Sequence, residues 1–176
     1  LHARRPALQP VSKLRRAGIA RAARGLRELR AIVERMASRF EEAADEALKS
    51  IDSASAADPA VRLAALARAH VGVVTDDLER ATVFVHEWRS LDAASRARMA
   101  TRRDAYERRF RSIVTDGVEA GAFVTVDATA AAAFILTALN GLVAWYRPDG
   151  RLRPGQVADA YADLAVRAAT GREVPA

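Results

Sequence analysis

Histidine beside carboxylate is the usual start of a proton-transfer or metal site, and this chain has one such pair, His86-Glu87. Neighbours on a helix project about 100° apart, so the two side chains do not converge on one proton or one ion. The remaining histidines, His2 and His70, stand in no HExxH or zinc spacing, and the chain has no GxSxG and no glycine-rich phosphate loop. His86 reads as a histidine at the edge of a pocket or core. Glu41-Glu42 and Asp76-Asp77 read as a solvated face or a helix cap rather than as paired acid and base. The expectation is a protein with no catalytic residue, no metal set and no cofactor, hence not an enzyme.

A chain of 176 residues that is 51% apolar is long enough to bury one sizeable core without staples. The absence of cysteine removes disulfides, thiolate ligands and thiol nucleophiles, and fits a reducing compartment. The opening segment has no apolar run of signal-peptide length, so a cytoplasmic location is expected. Leu1 in place of Met reads as a fragment or an alternative start codon.

The net charge of +6 resembles a nucleic-acid footprint until it is located. Residues 1–30 hold nine Lys/Arg against the single acid Glu28, a charge of +8, which leaves the rest at −2. Any basic function therefore lies in the first thirty residues. Seven arginines, Arg96, Arg98, Arg102, Arg103, Arg108, Arg109 and Arg111, crowd one later segment. They read mainly as a solvated helix face, with some available to an anionic ligand.

Apolar residues recur at threes and fours, and Ala, Arg, Leu and Glu dominate, so the chain reads as all-α. A first amphipathic helix is expected over about 29–51, with Ile32, Val33, Met36 and Phe40 on one face. Asp58-Pro59 reads as N-cap and first helical position of a second helix to about Val74. Asp76 or Asp77 would cap a short third helix and Asp92 a long fourth, whose buried stripe is Met99, Tyr106, Phe110, Ile113, Val114 and Val118. Gly121 supplies the left-handed stop. Asp127 caps a fifth helix to about Tyr146, and Pro154 opens the last.

The fifth helix has no charge between Ala128 and Tyr146, which approaches membrane-spanning length. Its alanine content and Thr129, Thr137 and Asn140 favour a helix buried on most sides within protein, so no membrane partner is expected. Such a helix, followed by a tight turn and an amphipathic partner, suggests a hairpin packed on a second subunit.

The stretch "RRFRSIVTDGVEAGAFVTVDATAAAAFILTALNGLVAWYRPDGRLRPGQVADAYADLAVRAATG" resembles the regulatory domain of TetR-family transcriptional regulators, chiefly in "GVEAGAF", "WYRPDGRL" and the tyrosine-bearing last helix. The resemblance spans about 29–171. It implies an all-α ligand-binding and dimerisation domain over 29–176, whose last two long helices form a four-helix bundle with a second copy. Interface candidates are Phe134, Leu139, Leu142, Tyr161, Leu164 and Val166. Phe84, Trp88, Tyr106, Phe110, Ile113, Leu136 and Asn140 would enclose a mostly apolar cavity, with His86, Arg103 and Asn140 as polar anchors; a solid core is the competing reading.

Members of that family carry an N-terminal helix-turn-helix domain, and residues 1–28 show no recognisable one, nor its aromatic ending. Those residues read as a basic, disordered or non-native segment, from frameshift or truncation; a basic arm attracting phosphates in a salt-sensitive way and a membrane helix are the other readings. The expected protein is the core of a ligand-responsive repressor, a homodimer binding a hydrophobic effector such as a fatty acid or acyl-CoA, with DNA as partner only where an intact helix-turn-helix domain is present. The alternative is a stand-alone helical module that heterodimerises with full-length relatives and does not itself bind DNA.

Overall fold

The computed structural model describes residues 11–124 and 127–171, with side chains described from residue 21 onward. Seven helices account for it: α1 Val11–Lys49, α2 Pro59–Asp76, α3 Leu78–Glu87, α4 Ala93–Glu119, α5 Ala128–Asn140, α6 Leu142–Trp145 and α7 Pro154–Ala169, with a 3₁₀ turn Trp88–Ser90 after α3. No strand occurs among the described residues, as the spacing of apolar residues predicts.

The caps read from sequence are in place. Asp58 accepts from the Ala60 N–H with Pro59 at the first helical position, Asp77 accepts from Arg80, Asp92 from Ser95, and Asp127 from Thr129 and Ala130. Each side-chain oxygen satisfies a donor that the first helical turn leaves open. Gly121 is the one residue with positive φ (70°) among those described, the left-handed position expected after α4.

Two expectations change. The first helix begins at Val11 rather than near Leu29, so residues 11–28 continue α1 without a break; residues 1–10 lie outside the described residues. Ala, Arg and Leu are strong helix formers, and helix propensity does not require the apolar stripe that marked the start at Leu29. The fifth helix is buried on one side of the chain, not on most sides. Ala132, Ile135 and Leu139 face inward while Phe134 stays 66% exposed, and Gly141 divides the segment into α5 and α6.

At the centre lies α2, packed most extensively on α7 and also on α1 and α4; α3 lies on α1, and α5 on α4. Its inward residues Leu63, Leu66, Ala67, Val71 and Val74 are wholly buried. Ala162, Ala165 and Ala169 face it from α7, small side chains that let two helices pack closely. From α1, Val33, Met36, Phe40 and Ala44 complete the core.

After α4 the chain doubles back, the Ala122 and Phe123 N–H groups donating to the Gly117 carbonyl at 2.8 and 3.0 Å. Phe123 is thereby pressed onto Gly117, where an added Cβ would stand 2.2 Å from a ring carbon. Gly117→Ala is expected to destabilise the protein by about 1–3 kcal/mol through overpacking, read as a lower midpoint in urea with an unchanged slope.

Candidate functional site

A cavity of about 360 Å³ lies between α1, α2, the end of α3, α4 and α5. Its wall is contributed by Ala37, Phe40 and Glu41 of α1, His70 of α2, Phe84, Trp88 and Arg89 of α3 and the turn after it, and Ala133, Leu136, Thr137 and Asn140 of α5. From α4 come Ala100, Arg102, Arg103, Asp104, Tyr106 and Glu107. The volume falls in the range of small-molecule sites, but the wall is more polar than the mostly apolar one expected, combining aromatic side chains with charged and polar ones.

The aromatic wall is continuous. Phe40 lies 4.6 Å from the His70 ring, 5.2 Å from Phe84 and 6.0 Å from Tyr106, measured between ring centroids. The guanidinium of Arg103 sits 5.2 Å from the centroids of both Phe84 and Trp88, and Arg89 stacks over Trp88 at 4.5 Å. These are cation–π distances that hold a charge beside an apolar surface. Arg103 has no carboxylate within ion-pair distance among the described residues; burial, with the charge of Arg89 added, lowers its pKa below the ordinary value.

His70 is buried at 3% exposure, its Nδ1 lying 3.3 Å from the Tyr106 hydroxyl. Burial, and then the charge of Arg103, push its pKa down to about 3, so the ring is neutral. Burial likewise pushes the Tyr106 phenol upward. The Nε2 of His70 and Nε1 of Trp88 are both buried without a hydrogen-bond partner among the described residues.

Beside the cavity, arginines of α4 clasp α1. Arg102 donates through Nε and Nη2 to the two Glu41 oxygens at 2.8 and 2.6 Å, and also to Ser38 and the Glu34 carbonyl. Arg109 reaches Asp45 at 2.6 Å, and Arg98 approaches Glu34 at 3.7 Å. Three of the seven arginines read as a solvated face are therefore interhelical; the forked Arg102–Glu41 pair is the most directional of them.

Of the expected ligand residues, Phe84, Trp88, Arg103, Tyr106, Leu136 and Asn140 do line this cavity. Three do not. His86 is exposed on the far side of α3, and Phe110 and Ile113 are buried in the core, one and two turns beyond Tyr106 on α4. Of the expected interface residues, Leu139 and Leu142 are buried within the chain at 1% and 0% and reach no surface, because they continue the inward side of α5. Phe134 and Leu164 are exposed at 66% and 58%, while Tyr161 and Val166 are half-buried. Phe40, Glu41 and His70 were not anticipated on the cavity. The signal for His70 was available: it interrupts an otherwise apolar stripe of α2.

The match to known proteins is consistent with this architecture. Residues 56–169 match the family model described as "Tetracyclin repressor-like, C-terminal domain". The TetR-family regulator PfmR from Thermus thermophilus is 30% identical, with 79% of this chain and 73% of that one covered and a TM-score of 0.69. A tetR-family regulatory protein from Rhodococcus RHA1 is 26% identical over 82% and 74%, TM-score 0.71. AibR, solved in complex with isovaleryl coenzyme A and operator DNA, is 26% identical over 79% and 73%, TM-score 0.68. No curated protein matches the sequence.

The buried neutral imidazole makes stability depend on pH. A histidine near 6.5 when unfolded and near 3 when folded takes up its proton on unfolding, so its contribution is fully present above about pH 6.5 and is lost as pH falls toward 3. Thermal unfolding followed from pH 7 to 4.5 should show falling stability, by at most about 1.4 kcal/mol per pH unit from this group. His70→Gln should flatten that slope.

Proposed function

We propose that this chain, which belongs to the TetR family of transcriptional regulators, is the effector-binding and dimerising core of a ligand-responsive repressor, and that the cavity beside α1 is its effector site. The observation that carries the reading is the cavity itself: an aromatic wall on which Arg103 and Arg89 stack, neither in an ion pair among the described residues, bounded on one side by α1. A hydrophobic small molecule is the effector this wall suits, and a fatty-acid or acyl-CoA group fits both the apolar wall and the cations. AibR, a relative of the same fold, binds isovaleryl coenzyme A.

An effector alters such a regulator only by preferring one of two arrangements. Phe40 and Glu41 place α1 in the cavity wall, and Arg102 ties α1 to α4 at the same place. A ligand that displaces either residue changes the position of α1, and with it the spacing of DNA-reading domains joined through that helix. DNA is a partner only through an intact helix-turn-helix domain, and a cytoplasmic location follows from that role.

Assembly as a homodimer is supported by the uncovered apolar side of α5–α7. Phe134, Trp145 and Leu164 are exposed there, Trp145 stacked on Tyr161 and donating from Nε1 to its hydroxyl at 3.1 Å. Single chains seldom leave aromatic side chains grouped in water without a partner.

Two measurements test these readings. Sedimentation at micromolar concentration should give a dimer, and Phe134→Glu combined with Leu164→Glu should give a folded monomer, because both side chains lie outside the core; an unmutated monomer removes the homodimer. Leu136→Trp, which fills the cavity from α5, should abolish the thermal stabilisation that octanoyl-CoA or octanoate confers, by mass action, on the unmutated dimer. Failure of all hydrophobic probes to stabilise it removes the effector site.

A further inference from the structure

Two side chains of the cavity wall, His70 and Trp88, carry buried nitrogens with no hydrogen-bond partner among the described residues. Trp88 Nε1 is a donor in every state. The role of His70 Nε2 follows from its partner. If Nδ1–H donated to the Tyr106 oxygen, the buried phenol proton and the Nε2 lone pair would both be left unmet; with the phenol donating to Nδ1, only Nε2–H is left. The second arrangement leaves fewer polar groups unpaired, so Nε2 carries the proton.

Each unpaired buried donor costs about 1–3 kcal/mol, and native proteins keep few of them. Here two belong to side chains that line one cavity, their nitrogens themselves wholly buried, with Arg103 beside Trp88 and near enough to His70 to lower its pKa. Of the carboxylates on this wall, Glu41 is held by Arg102, Asp104 is exposed and Glu107 half-buried; the Asn140 amide also lines it, its nitrogen donating to the Leu136 carbonyl.

The geometry points to a binding site for an acyl oxygen: a carboxylate, or the carbonyl of its thioester, accepts from His70 Nε2, Trp88 Nε1 and Arg103 while its hydrocarbon lies against Phe40, Phe84 and Leu136. This rests on the effector-site reading and adds the chemical group that is recognised and the atoms that recognise it. Size narrows the class. The cavity of about 360 Å³ lies at the small end of small-molecule sites, which suits a medium-length acyl or single-ring acid. A coenzyme carried on the acyl group must then extend through the mouth, past the exposed Arg89.

Calorimetric titration of the dimer with octanoate, octanoyl-CoA, 1-octanol and octylamine tests this. Octanoate and octanoyl-CoA should bind about tenfold or more tightly than 1-octanol, and octylamine should bind weakest, its cation facing Arg103. Trp88→Phe and His70→Asn each delete one donor, the asparagine keeping a partner for Tyr106; each should weaken both acyl ligands about five- to twentyfold and 1-octanol less than about twofold. His70→Gln, which returns an N–H near the Nε2 position, should recover most of the loss. Arg103→Gln should weaken octanoate more than octanoyl-CoA, separating a carboxylate from a thioester carbonyl as the group held. Octanol or octylamine binding as tightly as octanoate, or Trp88→Phe and His70→Asn without effect, overturns the acyl-oxygen site while leaving a nonselective apolar cavity. Absence of binding by both acyl probes overturns the site and the effector reading together.

Discussion

Burial of α2 is the constraint on which the rest of the structure depends. This helix packs against α7, α1 and α4 together, and Leu63, Leu66, Ala67, Val71 and Val74 have no exposed surface. Burying each large aliphatic side chain stabilises the fold by about 1.5–3 kcal/mol, and alanines on α7 allow the close approach that makes complete burial practicable. Once α2 is fixed, His70 has only one place to be. The ring is set among Phe40, Tyr106 and the cavity, and a group that ordinarily gains its charge just below neutral pH is held neutral to much lower pH.

The same arrangement links the cavity to the helix that enters the domain. The carboxylates of α1 pair with arginines of α4, and Glu41 belongs both to that interhelical pairing and to the cavity wall. Exposed ion pairs contribute little energy individually. Their value here is geometric: the two-pronged Arg102–Glu41 contact admits a narrow range of helix positions, so a ligand seated against it has something definite to disturb.

The last two long helices show the opposite economy. α5 satisfies its inward side with Ala132, Ile135 and Leu139 and leaves Phe134 uncovered, while α7 does the same with Leu164. A segment without charge over its whole length has two apolar sides, and one chain fills only one of them. One side of the uncharged stretch that approaches membrane-spanning length lies in its own core, and the proposed partner would cover the other.

Local chemistry decided what the amino-acid sequence could determine alone. Aspartates before apolar periodic runs, Pro59 and Pro154 at first helical positions, and Gly121 at the left-handed stop act through neighbours a few residues away, so the helices and most of their ends were legible. So was the family, through segments long enough to carry a pattern. Tertiary structure decided which side of each helix faced what. Leu139 and Phe134 are both apolar residues of one uncharged helix, and nothing in their spacing separates core from outer surface until tertiary packing buries one of them. His86 is among the polar anchors expected from the sequence, yet α3 turns it to water, while His70, with no polar neighbour, is brought to the cavity by the packing of α2. Side-chain direction on a helix is set by its rotation about its own axis, and that rotation is fixed by distant helices.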